Sequence, residues 1–342
     1  MPNRHRKARD RRDAPIMALP LPRRTKNTPY NASEVVALAD SRFLFCDNNV
    51  SDSLYEMRLT KTGELDGRLI PHRIVGVSPR YLDDFESMAM IAGSDPYRLV
   101  LATSFSLKIR DPKARKKSRR AKPAIERESL LRVTLRPPDA RSRRTGAREL
   151  DAEIVPGFRQ WLIEETPDLG PQWRKSLRRI PDDGGLNIEG LSWDPVRSDL
   201  LFGLRTPVLE GKPVVLRVHV KDISGIWNLT NFEMRRPVLL ELPASKHDRG
   251  IRTMEYDADR KTTLIVTGNA VSDSKAPFEM YGWDGNDKGV VKPFPRLRFD
   301  RKFRVEGAAP GTIAGRPVLV FVDDRGGYGV IWAGDERLRE RA

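Results

Sequence analysis

Three glutamates, Glu86, Glu189 and Glu306, stand near the start of stretches that otherwise read as buried strands: DFESMAM (Asp84 to Met90), NIEGLSWDP (Asn187 to Pro195) and RVEGAAP (Arg304 to Pro310). A buried carboxylate is costly unless something answers its charge. Two further stretches align with these, GIRTMEYDA with Arg252 in the glutamate position and ASEVVAL with Ser33 there. Brought together around one axis, the carboxylates would raise one another's pKa values unless a cation sat among them. Arg252 can grip a carboxylate with a permanently charged, bidentate head. Calcium is the other candidate, because it takes six to eight oxygens from carboxylates, hydroxyls and water. Ser33, Glu86, Glu189 and Glu306 are therefore candidate metal ligands. A metal-free salt-bridge network centred on Arg252 is the alternative, and both readings stand open.

A second polar set follows each opening by one apolar run. It comprises Asp47, Asn48 and Asn49, then Ser104 and Ser106, Arg205 and Thr206, Asn269, and Asp323 with Asp324. Arg205 can clamp a phosphate or carboxylate, and Asp323 and Asp324 can act as base or metal holder, which makes these three the catalytic candidates. Asn48, Ser104, Asn269 and Arg252 are the candidate ligand-binding or channel residues. Turn chemistry accounts equally well for the Asn, Asp and Ser positions.

Other chemistry finds little support. His5, His72, His219 and His247 lack metal-ligand spacing, and no nucleophile elbow or phosphate-cradling glycine loop occurs. Cys46, the single cysteine, lies in FLFCD and reads as core.

The elements that must position these residues repeat along the chain. The anchors Ser33, Glu86, Glu189, Arg252 and Glu306 are 53, 103, 63 and 54 residues apart. After each comes a second apolar run (RFLFCDNN, RLVLATSFS, DLLFGLRTP, TTLIVTGNA, PVLVFVDDRG) and a third (SLYEMRL, SLLRVTL, VVLRVHV, FEMYGWD, YGVIW). Alternation, β-branched content and bounding turn residues say strand. The expected fold is all-β, a five-bladed β-propeller, with six blades as the alternative because one interval is double. The long interval also holds a basic loop and a short helical insert at 158–180, where Phe158, Trp161, Leu162, Trp173 and Leu177 suit two amphipathic helices split near Pro167 to Pro171. We assign that insert to the second blade. The segment near Ala14 to Leu21 is expected to complete the last blade, whose own run shows three strands. Trp193, Trp227, Trp283 and Trp332 are expected to pack between blades.

The net charge of +15 is localised: residues 1–26 carry +7 and residues 107–127 carry +8. Both segments are poor in aromatics, which predicts solvated chain. They are candidates for nonspecific polyanion contact, without sequence recognition. The organisation expected is a tail at 1–29, a propeller at 30–335 and a C-terminal tail at 336–342. No apolar run is long enough for a membrane span, and the N-terminus is a poor secretory signal, so the expected location is cytoplasmic unless a misassigned start hides an export signal. A monomer is expected.

DDFESMA, GLNIEGLSWDP followed by LLFGLRTPV, GIRTMEYD, and FRVEGAAP followed by VLVFVDD give the chain a resemblance to the bacterial family of domain of unknown function 3616. That resemblance implies a propeller over roughly 30–335 and no established activity. More distantly, the Glu-Gly openings are similar to those of esterase-like phytase propellers and calcium-activated nucleotidases. The latter implies a central calcium held by Ser33, Glu86, Glu189 and Glu306, from which Arg252 departs. The functional expectation is a metal-assisted phosphoester or ester hydrolase using calcium. Its alternative is a noncatalytic propeller that binds a small anionic ligand or a protein partner.

Overall fold

The computed structural model describes residues 14–25, 28–82, 84–91, 97–109, 121–122, 127–136, 145–271 and 276–338. The basic residues 1–13 and most of 107–127, read above as polyanion contacts, lie outside the described residues.

In chain order the strands are β1 (Leu19–Pro20); β2 (Ala32–Ala39), β3 (Arg42–Asp47), β4 (Val50–Arg58) and β5 (Ile70–Val75); β6 (Phe85–Ile91) and β7 (Arg98–Thr103). The short pair β8 (Lys108–Ile109) and β9 (Ala121–Lys122) precedes β10 (Leu130–Leu135) and β11 (Glu149–Val155). Two helices follow, α1 (Phe158–Glu165) and α2 (Pro171–Ser176). Then come β12 (Asn187–Asp194), β13 (Asp199–Thr206), β14 (Val214–Val220) and β15 (Phe232–Leu239). The last strands are β16 (Arg249–Asp257), β17 (Thr262–Asn269), β18 (Glu279–Trp283) and β19 (Lys292–Pro293), then β20 (Val305–Ile313), β21 (Arg316–Asp323) and β22 (Gly327–Trp332).

These strands form antiparallel meanders. β12–β15 and β16–β19 are four-stranded sheets, and β20–β22 gain a fourth strand from β1, with Leu19 opposite Tyr328 and Pro20 opposite Gly327. Proline is tolerated there because β1 is an edge strand. β2–β5 and β6, β7, β10, β11 join into one eight-stranded sheet through a parallel pairing of β5 with β11.

The first strand of each meander packs beside the next: β2 on β6, β6 on β12, β12 on β16, β16 on β20, and β20 back on β2. The core consists of layers between neighbouring sheets, so apolar runs are covered on both faces. One layer joins Val35 and Phe45 to Ala309 and Val320, a second joins Val36 and Leu44 to Met88 and Leu101, and a third joins Leu201 and Val215 to Ile251 and Ile265. This explains why β12 is buried at every position. The result is an all-β, propeller-like fold.

The two helices fall where the sequence predicts, seating Phe158, Leu162 and Trp173 on the layer formed by Val100, Leu191 and Phe202. Trp193, Trp227 and Trp283 are buried, whereas Trp332 is only partly so. Among the described residues no helix is long and apolar enough to cross a membrane.

The repeat extends to turn chemistry. Asp194 accepts from the amides of Val196 and Arg197, and Asp257 does the same for Asp259 and Arg260. Each aspartate also pairs with the arginine three residues on, Arg197 and Arg260 respectively.

Candidate functional site

A β-bulge puts one extra residue in a strand, leaves it unpaired and re-aims its side chain. In every first strand the skipped residue is the anchor read from the sequence. The register shifts fall between Ala32 and Glu34, Phe85 and Ser87, Ile188 and Gly190, Ile251 and Thr253, and Val305 and Gly307. Ser33, Glu86, Glu189, Arg252 and Glu306 thus occupy equivalent bulges at one end of the ring. The second-strand ends lie beside them, with Asp47 opposite Ala32, Thr103 opposite Phe85, Thr206 opposite Asn187, Asn269 opposite Arg249 and Asp323 opposite Val305.

Glycine after the glutamate answers to crowding of first strands. A Cβ on Gly190 would sit 2.8 Å from Ile251 Cγ2, and one on Gly307 would sit 2.7 Å from the Val35 amide nitrogen.

Arg252 ties three first strands together. Its Nη1 lies 2.8 Å from Glu189 Oε2, and its Nη2 donates to Glu306 Oε1. Glu189 Oε1 also accepts from Arg205 Nη1 at 2.7 Å and from Asn187 Nδ2 at 3.0 Å. Arg205 in turn donates Nε to the carbonyls of Asn269 and Ala270 at 3.2 and 3.0 Å, bridging two sheets. Burial alone would lower the Arg252 pKa, but the charges of Glu189 and Glu306 outweigh it and the guanidinium is held above its usual range.

The opposite side of the ring is built differently. Ser33 Oγ reaches the Phe85 carbonyl at 2.7 Å and Asn48 Oδ1 at 2.8 Å, and the Asn48 side chain also hydrogen-bonds Glu86. Ser104 Oγ donates to Asp84 and lies 2.8 Å from Ser106 Oγ, while Arg127 Nη2 pairs with Asp84 Oδ1 at 3.2 Å. Loss of solvation, then the charges of Asp84 and Glu189, push the Glu86 carboxyl well above the usual range. Glu306 is pushed up to about 8, chiefly by burial, with Arg252 opposing and Glu189 and Asp324 adding to the rise.

Asp323 and Asp324 part company. Asp323 Oδ1 accepts from the amides of Arg325 and Gly327 at 3.1 and 2.6 Å, which is turn chemistry. Asp324 faces Arg304 at 3.4 Å and Arg325 at 3.8 Å. Asp47 likewise accepts from the Asn49 amide at 2.8 Å.

The donor set does not fit a calcium ion. The Arg252 guanidinium holds the space between Glu189 and Glu306, both Glu189 oxygens face arginines, and Ser33 is directed at Phe85 and Asn48. Among the described residues no group of three or more His, Cys, Asp or Glu is arranged to hold a metal. Cys46 lies in the core beneath Ser33, its thiol pushed up to about 12 by burial.

The sequence reading passed over a second pair of acids, Glu34 and Glu255. Glu34, fully buried, accepts from Thr253 Oγ1 at 2.9 and 3.0 Å and from the Val35 amide at 3.0 Å. Burial pushes both carboxyls well up, and Glu255 adds to the rise at Glu34. The available signal was a charged residue inside each of the apolar runs ASEVVAL and GIRTMEYDA.

Residues 139–294 match the model of a family described as protein of unknown function (DUF3616), the family that the sequence motifs resemble. GLNIEGLSWDP and GIRTMEYD fall inside that span, and DDFESMA and FRVEGAAP fall outside it. No curated protein matches the chain. Among solved structures, the chain is similar to a glutaminyl cyclase from Myxococcus xanthus, at 12% identity, TM-score 0.41, over 93% of this chain and 98% of that one. It is also similar to a chain of a nidogen/laminin complex, at 13% identity, TM-score 0.39, over 86% of this chain and 73% of that one. A third is Sqt1 from Saccharomyces cerevisiae, at 11% identity, TM-score 0.32, over 88% and 72%.

Proposed function

We propose that the protein is a five-bladed β-propeller that binds a small anionic ligand at one mouth of its channel without turning it over. The blade count is supported by five bulged anchors and five first strands in cyclic contact. The doubled interval is taken up by β8–β11 and the two helices, which leaves no separate set of strands for a sixth blade among the described residues.

One observation carries the reading of the site: Arg252 lies between Glu189 and Glu306, where a ring of carboxylates would otherwise call for a metal. With Glu86 and Glu306 held towards their neutral forms, Arg252 and Arg205 outweigh Glu189 near neutral pH. A cluster with surplus positive charge suits a carboxylate or phosphate, and the partly exposed Arg205 is the residue to meet it.

The second reading, a hydrolase of esters or phosphoesters, is favoured by Glu86. Glu86 as a residue is partly exposed, and its carboxyl meets an amide from Asn48 and is raised well above the usual carboxylate range, chiefly by burial, as a general acid requires. Asp324, Arg205 and the metal ligands would then act around it, and calcium would have to displace Arg252 from its glutamates.

Thermal melting separates the two. Calcium, magnesium and manganese are expected to leave the melting temperature unchanged, whereas phosphate or a dicarboxylate raises it in wild type and not in Arg205→Gln. A calcium-dependent rise that Glu189→Gln/Glu306→Gln removes, or phosphoester turnover lost in Glu86→Gln, would overturn the binding reading.

A further inference from the structure

Outside the mouth, a cleft of about 1160 Å³ is lined by β18 and the segment leading from β19 to β20, with Asn269 and Arg304 also in its lining. Four arginines, Arg249, Arg298, Arg301 and Arg304, line it against two acids: Glu279, which pairs with Arg249 and accepts from the Tyr281 hydroxyl, and Asp300, whose Oδ1 accepts the Lys302 amide at 2.9 Å. Arg298 and Arg301 are exposed and have no ion-pair partner among the described residues. Beside them, Phe278 and Phe299 are partly exposed.

The wall is fixed before any ligand arrives. Phe299 meets Phe321 and Phe303 edge-on, with centroids 5.2 and 6.1 Å away. The backbone on either side of it is pinned, Ile16 donating to the Arg298 carbonyl at 2.7 Å and Asp300 donating to the Ile16 carbonyl at 3.0 Å. Uncommitted guanidiniums match phosphate oxygens in a forked geometry, and an aromatic face next to them stacks a flat ring. The volume exceeds what one drug-sized molecule needs.

We propose that this cleft binds a nucleotide-class ligand, with phosphate at Arg298 and Arg301 and the base against Phe278 and Phe299. The site is distinct from the Arg252 network, so either can fail without the other. The test titrates the full chain, basic segments included, against a fluorescent ATP analogue and a labelled twelve-residue oligo-dT, by anisotropy. Arg298→Glu/Arg301→Glu is expected to weaken binding at least tenfold and to reduce the oligonucleotide's salt slope by about 1.4, two phosphate contacts' worth. Phe278→Ala is expected to weaken it several-fold at unchanged salt slope. Binding of the analogue alone assigns a free nucleotide, and binding of the oligonucleotide assigns a single strand; both uphold the shared chemistry. The proposal falls if neither probe saturates on wild type by 1 mM, or if the double variant binds as wild type does. Should charge reversal lower the melting temperature, Arg298→Gln/Arg301→Gln carries the same test.

Discussion

Glu56 and the channel glutamates are all carboxylates withdrawn from water, yet they are supplied with cations very differently. Glu56, on β4, has a fully buried side chain and accepts from Arg42 Nε and Nη2 at 2.9 and 2.7 Å and from Arg58 Nε at 2.7 Å. His72 Nε2 is 3.1 Å from it, while His72 Nδ1 accepts the Arg148 amide at 3.0 Å, which leaves the ring proton on Nε2. Burial works against the charge, but His72, Arg42 and Arg58 outweigh it and hold Glu56 below the usual carboxylate range. In the channel Glu86, Glu189 and Glu306 share Arg252 and Arg205, and Glu86 and Glu306 are displaced upwards instead. Burial alone therefore does not set the state of an acid; the cationic partners each carboxylate has to itself do, since Glu34 has several neutral donors and is still pushed up. The saturated cluster locks strands together near the β5–β11 join, and the undersupplied one is left able to respond to protons and anions.

The largest effect expected from this contrast is at Glu56. Glu56→Gln leaves His72, Arg42 and Arg58 facing an amide, and should cost about 3 kcal/mol in urea unfolding, the range for breaking a buried pair from one side. Arg252→Gln strips the cation from Glu189 and Glu306, but Glu306 already sits near its neutral form and proton uptake absorbs part of the loss. About 2 kcal/mol is expected there, and less at pH 6 than at pH 8. If Arg252→Gln proves the costlier at pH 6, the distinction between the two clusters breaks.

Much of this was legible beforehand, for reasons of packing. First strands covered on both faces are largely apolar, so a charged residue recurring near the strand start stands out and aligns, as Glu189 and Arg252 do in NIEGLSWDP and GIRTMEYDA. The bulge that aims each anchor carries no sequence signature, since it is one extra residue in an otherwise regular strand. Glu34 was hidden because Ser33 already filled the aligned position, and its partner Thr253 lies 219 residues away. Asp323 and Asp324 looked alike in VFVDDRG, yet the first is consumed by turn amides and the second faces Arg304. The β5–β11 pairing joins strands whose patterns are complete without it, so nothing local announces it.

The pH dependence of stability sharpens the contrast because the two clusters have opposite signs. Glu56 has its folded pKa depressed, so its contribution is present above the unfolded value, about 4.5, and is lost as pH falls below it. Glu306 has its folded pKa raised to about 8, so its contribution is full below the unfolded value of about 4.5 and declines as pH rises from there through 8. Glu86 acts in the same direction. Melting temperature should therefore drop on the acid side in wild type and Glu306→Gln alike, and drop more between pH 5 and 8 in wild type than in Glu306→Gln, where Glu86, Glu34 and Glu255 are the raised carboxyls that remain.

The smallest effect follows from the same protonation. At pH 6 a mostly neutral Glu306 carboxyl already resembles an amide in shape and charge, so Glu306→Gln should change stability by less than about 1 kcal/mol there. At pH 9 the same substitution should cost less still, or stabilise, because the wild type has by then lost the contribution that the raised Glu306 pKa gave below 8, and the amide has no such contribution to lose. A cost at pH 6 that equals the cost at pH 9 would mean that Arg252 keeps Glu306 ionised throughout. The channel would then be a second saturated clamp of the Glu56 kind, with no surplus charge to offer a ligand.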